Sequence, residues 1–318
     1  MRKPKLLAIG GAHVDRRGRS DGPFVPGVSN PGTMREEVGG AAFNTARVAA
    51  RLGTEVSMMT ARGGDAAGAA VTAAIMAANI ADLSATHLDR VTPSYTAILD
   101  DHGELVGAIA DMRLYDTALD KLSRRAATRV AVAAADAVLF DANLPETAIA
   151  RIAEFAAGKP VFANAISPAK AVRLIPFLPM LSGLFMNGNE ARAITGLDTD
   201  DEAMLVAALR GLGLSSAVVT RGAGSVIGYD ARGAHVLAPP KVEAGDVTGA
   251  GDALAGATIA AQLAGKPLAE ALRPGVAAAC LIVASTSAVP DFSDDSFAAM
   301  LQSVGAARVL AAADRQDA

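Results

Sequence analysis

Short apolar runs alternating with alanine-rich stretches set the tightest limit on what this chain can become. Leu6–Ile9, Glu55–Thr60, Ala137–Asp141, Pro160–Asn164, Leu184–Asn187 and Ser216–Thr220 read as strands. Between them, Asn44–Arg51, Asp65–Ala78, Leu119–Ala135, Pro145–Ala157, Glu190–Thr195 and Glu202–Leu212 read as helices. The strand runs are continuously apolar, as in strands covered on both faces. Strand and helix in steady alternation predict an α/β fold with a mostly parallel central sheet between helical layers. Length alone, at 318 residues, allows two domains or one large α/β domain with an addition. We read one domain over 1–318.

Two segments break the rhythm. Arg16–Val38 is polar and rich in Gly and Pro, and Ser94–Ala110 reads as a hairpin around Asp100-Asp-His-Gly103. Both flank early strands, so together they predict a small separate sheet, a lid built from about 16–38 and 94–113. The polar end Ala311–Ala318 is expected to fray.

Composition removes several function classes. With 29 basic against 33 acidic side chains, the net charge is −4, without the basic excess that displaces counterions from nucleic acid. Trp is absent and aromatics make up 4%, so a base-stacking platform is not expected. The longest uncharged stretch, Pro274–Pro290, contains Ser285, Thr286 and Ser287 and falls short of the roughly 20 apolar residues a bilayer requires. It reads as a buried helix and a turn, and no membrane partner is expected. The basic start of the chain runs into His13, Asp15 and Arg16, so it reads as a first buried strand rather than a leader. Cys280 is the lone cysteine, which excludes an internal disulfide and a Cys-based zinc site. Its apolar neighbours make it a buried small residue, which fits a reducing cytoplasm. His87, His102 and His235 are scattered; His13, two residues before Asp15, is a candidate to touch a substrate.

The sharpest local feature is Asp246-Val-Thr-Gly-Ala-Gly-Asp252, followed by the apolar run Ala253-Leu-Ala-Gly-Ala-Thr-Ile. A small-residue loop at a helix start exposes main-chain N–H groups where the helix dipole favours an anion. Asp252 falls in the first turn. It is either a helix-start carboxylate of the common kind or a base that takes a proton from a hydroxyl attacking a bound phosphate. No Gly-Lys-Ser/Thr follows, so this is not a Walker A loop.

Asp246–Asp252 resembles the C-terminal signature of the ribokinase-like (PfkB) carbohydrate kinases. Gly39-Gly40-Ala-Ala-Phe-Asn44-Thr-Ala-Arg-Val-Ala-Ala-Arg-Leu-Gly53 resembles the N-terminal one. Asn187-Gly-Asn-Glu190 is similar to the family's Asn-x-x-Glu motif, and Thr220-Arg-Gly222-Ala-Gly224 to its nucleotide-binding turn. The resemblance spans Gly10 to about Pro290. It implies a ribokinase-like three-layer α/β/α fold with a β lid. The implied reaction moves the γ-phosphoryl group of ATP to a primary hydroxyl of a sugar or nucleoside, with Mg²⁺. A homodimer joined through the lid is implied as well.

Carried over residue by residue, the resemblance makes Asp252 the catalytic base and Gly249, Ala250 and Gly251 the anion hole. Asp15 would hold sugar hydroxyls, and Gly39, Gly40 and Asn44 would form the sugar-binding turn and helix start. Glu190 would organise Mg²⁺ through water, Asn187 would face the phosphates, and Thr220, Gly222 and Gly224 would approach the nucleotide. Asp246 and Thr248 resemble positions where many members bind K⁺. Read bare, Gly39-Gly40 is a plain tight turn, Asn44 and the Asn187–Glu190 pair are ordinary helix starts, and Gly222-x-Gly224 is a hairpin loop.

Within the family, several segments are most similar to pseudouridine kinases: Ser29-Asn30-Pro31-Gly32, Met112-Arg-Leu-Tyr115-Asp116, Asp141-Ala-Asn143-Leu-Pro145, Ser167-Pro-Ala-Lys170 and Ala278–Ser285. Ser29 and Asn30 would hydrogen-bond a uracil-like edge, and Lys170 would approach the acceptor or phosphate; a solvated lysine is the plain reading of the latter. Asn164-Ala-Ile-Ser167 departs from the subgroup, where Asp is expected at its first residue. A free sugar such as ribose, or a sugar phosphate gripped by Arg16, Arg17 and Arg19, is the alternative acceptor. A non-catalytic sugar- or nucleotide-binding protein is the reading from another class; it has no use for a base at Asp252.

Overall fold

The expected strands Leu6–Ile9, Ala137–Asp141, Pro160–Asn164, Leu184–Asn187 and Ser216–Thr220 all pair side by side, in one direction, in the computed structural model, which describes residues 2–243, 247–285 and 292–310. Asp246, Ala311–Ala318 and the turn expected after Ser285 lie outside the described residues. The chain begins β1 (Lys5–Ile9), β2 (His13–Ser20), β3 (Gly32–Gly39), α1 (Ala41–Arg51), β4 (Glu55–Met59), β5 (Ala61–Gly63), α2 (Ala66–Ala77), β6 (Ala81–Asp82), β7 (Ala85–His87). It continues β8 (Ser94–Leu99), β9 (Leu105–Asp111), α3 (Arg113–Ser123), α4 (Ala126–Ala134), β10 (Ala137–Asp141), α5 (Glu146–Phe155), β11 (Val161–Asn164), α6 (Pro168–Ala171). Then follow β12 (Gly183–Asn187), α7 (Gly188–Thr195), α8 (Glu202–Gly211), β13 (Ala217–Thr220), β14 (Val226–Asp230), β15 (Gly233–Leu237), α9 (Ala250–Leu263), α10 (Leu268–Val283), α11 (Asp294–Ser303) and β16 (Arg308–Val309).

The main sheet has the order β16-β15-β14-β13-β12-β11-β10-β1-β4-β6. It is parallel from β6 to β13 and antiparallel from β13 to β16. Alternate residues enter opposite cores, because successive Cβ atoms point to opposite faces. Leu7, Ile9, Val138 and Phe140 pack with Leu119, Leu122, Val132 and Ile152 from α3, α4 and α5. Leu6, Ala8, Ala137 and Leu139 pack with Phe43, Ile75, Leu254 and Val276 from α1, α2, α9 and α10. Three layers result, and both faces of the parallel strands are dry.

The polar interruptions form a second sheet, β3-β2-β8-β9. β8 and β9 are the expected hairpin. Its turn is closed by Asp100 Oδ1, which accepts from His102 N at 2.9 Å and Glu104 N at 2.8 Å.

Two helical expectations need correction. Leu119–Ala135 is not one helix but the end of α3 and all of α4, separated at Arg124 and Arg125. Ser123 Oγ donates to Asp120 O and Thr128 Oγ1 to Leu122 O, local bonds that compete with helix continuation. The first signature helix starts at Ala41, not Asn44. Antiparallel β14, β15 and β16 were not foreseen. Cys280 sits in α10, 5% exposed, as expected. Among the described residues no helix is long and apolar enough to cross a membrane.

Candidate active site

The early start of α1 decides what Asn44 does. Gly40 precedes the helix with φ 108°, and a Cβ there would stand 2.5 Å from Gly11 O. Glycine is required on both counts. Without a side-chain cap, the first amides of α1 find partners elsewhere. Phe43 N donates to Gly11 O at 3.2 Å, and Ala42 N donates to Asp141 Oδ2 at 3.1 Å. Asp141, fully buried at the end of β10, also accepts from Gly11 N at 2.8 Å and, through Oδ1, from Asn143 N at 2.9 Å. Three amides hold its carboxylate in a position that would otherwise be costly for a charge.

Asn44 is therefore no cap. Its Nδ2 donates to Asp252 Oδ2 at 2.9 Å. Asp252 stands in the first turn of α9, after Gly249, whose φ of 79° turns the loop into the helix. Burial pushes the Asp252 carboxyl up to about 7. Asn44 and Arg47 pull it down, while Asp141 and Glu190 add to the rise. Of the expected anion-hole amides, Ala250 N is already donated to Val247 O at 3.3 Å. The amides of Gly251 and Asp252 take no backbone carbonyl among the described residues. Gly251 faces open space, with nothing within 4 Å of a Cβ placed on it.

A cavity of about 770 Å³ opens at this helix start. Asn187, Glu190, Thr220, Gly222, Gly249, Ala250, Gly251 and Asp252, all named from the sequence, line it. Part of its lining is apolar, including Val226, Pro240, Val242, Val276 and Cys280. Gly222 and Gly224 belong to the turn between β13 and β14, so the hairpin reading and the cavity reading of this motif both hold. Asn187 and Glu190 form a reciprocal capping box: Asn187 Oδ1 accepts from Glu190 N, and Glu190 Oε2 accepts from Asn187 N at 2.8 Å. Asn187 Nδ2 donates to Glu190 Oε1 at 2.9 Å. Burial raises the Glu190 carboxyl against these bonds.

Asp15 is not among the cavity-lining residues; its carboxylate lies against Gly39, where a Cβ would meet Oδ2 at 2.1 Å. It sits opposite Glu37 in the β2–β3 register, with His13 Nε2 3.4 Å from its Oδ1. His13 Nδ1 is 3.3 Å from the Tyr115 hydroxyl. Lys170 Nζ donates to Asn143 Oδ1 at 2.5 Å, and burial lowers its pKa. Lys170 thus touches the Asp141–Asn143 strand end and is not a solvated surface lysine.

Ser29 and Asn30 are not among the residues that line the cavity. They lie in the loop between β2 and β3, where Ser29 is exposed. Asn30 spends its amide on its own loop: Oδ1 accepts from Val25 N, and Nδ2 donates to Val25 O and Val28 O. Gly224 and Thr248 are outside the cavity lining, Thr248 lying just before the start of α9.

Four residues of the site carried no role at the sequence level. Asp141 caps α1 across 99 residues, which no local pattern announces. Tyr115, fully buried, accepts from Ala12 N at 3.0 Å and donates to Ala12 O at 2.9 Å. Asn164 lines the cavity, and its Nδ2 donates to Thr45 Oγ1 at 2.7 Å. Arg47 is a guanidinium within the buried stretch Ala42–Ala49 of an alanine-rich helix, a placement that was a signal in itself.

The layered sheet with its small second sheet is the architecture of the ribokinase-like enzymes, and the cavity faces the carboxyl ends of parallel strands, where such folds bind small molecules. The chain belongs to the pfkB family of carbohydrate kinases, which matches residues 3–295. It is a sugar or nucleoside kinase, a phosphotransferase with an alcohol group as acceptor. It is 29% identical over 283 residues to the pseudouridine kinase of Escherichia coli (strain K12), covering 85% of this chain and 88% of that protein. Among solved structures it is similar to a carbohydrate kinase from Agrobacterium tumefaciens, with a TM-score of 0.86 and 46% identity over 96% of this chain and all of that one. Its fold is also shared with Arabidopsis thaliana ribokinase complexed with ribose and ATP, with a TM-score of 0.83 and 22% identity over 95% and 99% of the two chains.

Proposed function

We propose that this chain is a pseudouridine kinase, moving the γ-phosphoryl group of ATP to the 5′ hydroxyl of pseudouridine. The observation that carries the chemistry is the Asp252 carboxyl, held by Asn44 at the mouth of α9, with its pKa pushed up to about 7. A base poised near neutrality suits proton transfer from a hydroxyl. Asp252 takes the proton as the hydroxyl oxygen attacks the γ-phosphorus and the bond from that phosphorus to the ADP oxygen breaks, releasing ADP; the protonated carboxyl then gives its proton to solvent. Asn44 orients the carboxyl. The start of α9, with the Gly251 amide beside Gly249 and Ala250, stabilises charge on the transferring group. Asp15, with Gly39 and Gly40 behind it, receives the ribose hydroxyls, and Lys170 approaches the acceptor beside Asn143. Thr220, Gly222 and Gly224 approach the nucleotide, whose base meets the apolar part of the cavity lining.

The donor set fits Mg²⁺ held mostly through water. Glu190 has both oxygens already bonded to Asn187. No group of three His, Cys, Asp or Glu side chains among the described residues could cage a metal. Bound there with ATP, the ion would neutralise charge on the phosphates. Asp246 and Thr248 remain our candidates for K⁺. Exposed Met34, Leu105, Val106 and Ile109 on the second sheet support a homodimer joined there. The lone buried thiol suits the cytoplasm.

Pseudouridine is preferred as acceptor for the similarity to the Escherichia coli enzyme. A sugar phosphate is the second reading, because Arg17 lies opposite Arg35, two residues along β2 from Asp15 and on its face. ADP release measured over pseudouridine, uridine, inosine, ribose and fructose 6-phosphate tests the choice. We expect the highest kcat/KM for pseudouridine, and a higher value for any other acceptor overturns the assignment.

A further inference from the structure

Arg47 occupies a place where an apolar side chain would serve stability better. It is 7% exposed, inside the buried stretch Ala42–Ala49 of α1, and its guanidinium stands 5.3 Å from the Phe43 ring centroid. Nη1 lies 3.5 Å from Val38 O, at the end of β3. A charge taken out of water is costly unless opposite charge surrounds it. Among the described residues, opposite charge reaches it from Asp252 in α9, Glu37 in β3 and Asp15 in β2. Burial lowers the arginine to about 10, so it stays charged over the working range of an enzyme.

We infer that Arg47 is a positioning residue for the transfer reaction: its buried guanidinium is the counter-charge that keeps the Asp252 carboxylate available as a base beside other acids. The inference rests on the reading of Asp252 as the base. Asp252 is faced by Arg47 from α1, by Asp141 from the end of β10 and by Glu190 from α7. Arg47 is the one cation in that set, and the two acids oppose it. Arg47 follows Asn44 by three residues, so one face of α1 presents both the hydrogen bond and the charge to the same carboxyl. Arg47 also reaches the end of β3, where Glu37 competes for it. The acidity of the base is thereby tied to a strand of the second sheet.

The test is a direct titration. Protein labelled with ¹³C at the aspartate carboxyls gives an Asp252 resonance, assigned by its loss in Asp252→Asn. In Arg47→Met the Asp252 midpoint should rise by about one pH unit, as loss of a neighbouring opposite charge does. Arg47→Lys should return it most of the way, and the acid limb of kcat/KM should move with it. About tenfold lower activity at pH 6 in Arg47→Met, recovered toward pH 9, is the kinetic counterpart. A purely structural role would instead lower activity equally at every pH. A midpoint unmoved in Arg47→Met overturns the inference. Should that variant not fold, Glu37→Gln decides. Freeing Arg47 from a competitor should lower the midpoint by a few tenths of a unit, and no movement overturns the inference. Wild-type turnover in Asp252→Asn sinks the base itself, and the kinetic role of Arg47 with it. An inactive Asp252→Asn combined with an unmoved midpoint sinks Arg47 alone.

Discussion

Asn44 and Asp252 are 208 residues apart in the chain, and their side chains meet at 2.9 Å. One comes from the helix that follows β3, the other from the helix after the glycine loop. The hydrogen bond joins the two signature motifs into one device, and Asp252 lines the large cavity.

Asp252→Asn should lower kcat by about 10²–10⁴-fold, the usual worth of a general base. Acceptor binding, read by calorimetry, should change little. The same variant has a stability signature. A carboxyl whose pKa is raised on folding destabilises the native state as pH climbs from about 4 toward 7. Its removal should therefore raise stability at pH 8 by roughly 1–3 kcal/mol, seen as a higher Tm, and leave it unchanged near pH 4.

Asn44→Ala removes the hydrogen bond that draws the Asp252 carboxyl down. The acid limb of kcat/KM should move above its wild-type position, near pH 7, and activity at pH 7 should drop more than activity at pH 9. A limb that stays in place would show that Asn44 does not set the acidity of the base.

The α1–α9 contact should be intolerant of one methyl group. A Cβ on Gly256 would stand 2.4 Å from Thr45 O and 2.9 Å from Val48 Cβ. Gly256→Ala must push the two helices apart, and overpacking of this kind costs about 1–3 kcal/mol. Because Asn44 precedes Thr45, turnover should fall as well as Tm. A stable variant with full activity would contradict the geometry.

Glu190→Gln keeps one oxygen to accept from Asn187 N but loses the charge and the second acceptor, which now takes Asn187 Nδ2. Thermal stability should change by less than about 1 kcal/mol, while the Mg²⁺ concentration for half-maximal activity should rise several-fold. Equal losses of Tm and activity at saturating Mg²⁺ would assign Glu190 to the helix start alone.

The parallel part of the sheet was legible because both of its faces are buried, which leaves unbroken apolar runs such as Ala137–Asp141. The antiparallel extension was not. β14 carries Gly228 against Leu272, β16 is two residues long, and neither leaves a periodic trace. The hairpin of the second sheet was legible from Asp100–Gly103, since turn chemistry is local. The glycine loop with Asp252 is likewise a local pattern, whereas Glu190 was named only through the family resemblance. Asp141 was quoted but given no work, and Arg47 went unremarked inside its motif. Their meaning depends on partners 99 residues away or on three separate strands and helices. The start of α1 was misplaced because its cap is a backbone turn plus a distant carboxylate, rather than a residue of the helix itself.

The Tyr115 hydroxyl grips both ends of one residue, the N–H and the C=O of Ala12, between the last residue of β1 and the first of β2. That pin fixes the joint between the two sheets on the side of the rigid framework. Asp15, three residues further along in β2, therefore stands on the second sheet just past a point tied to α3.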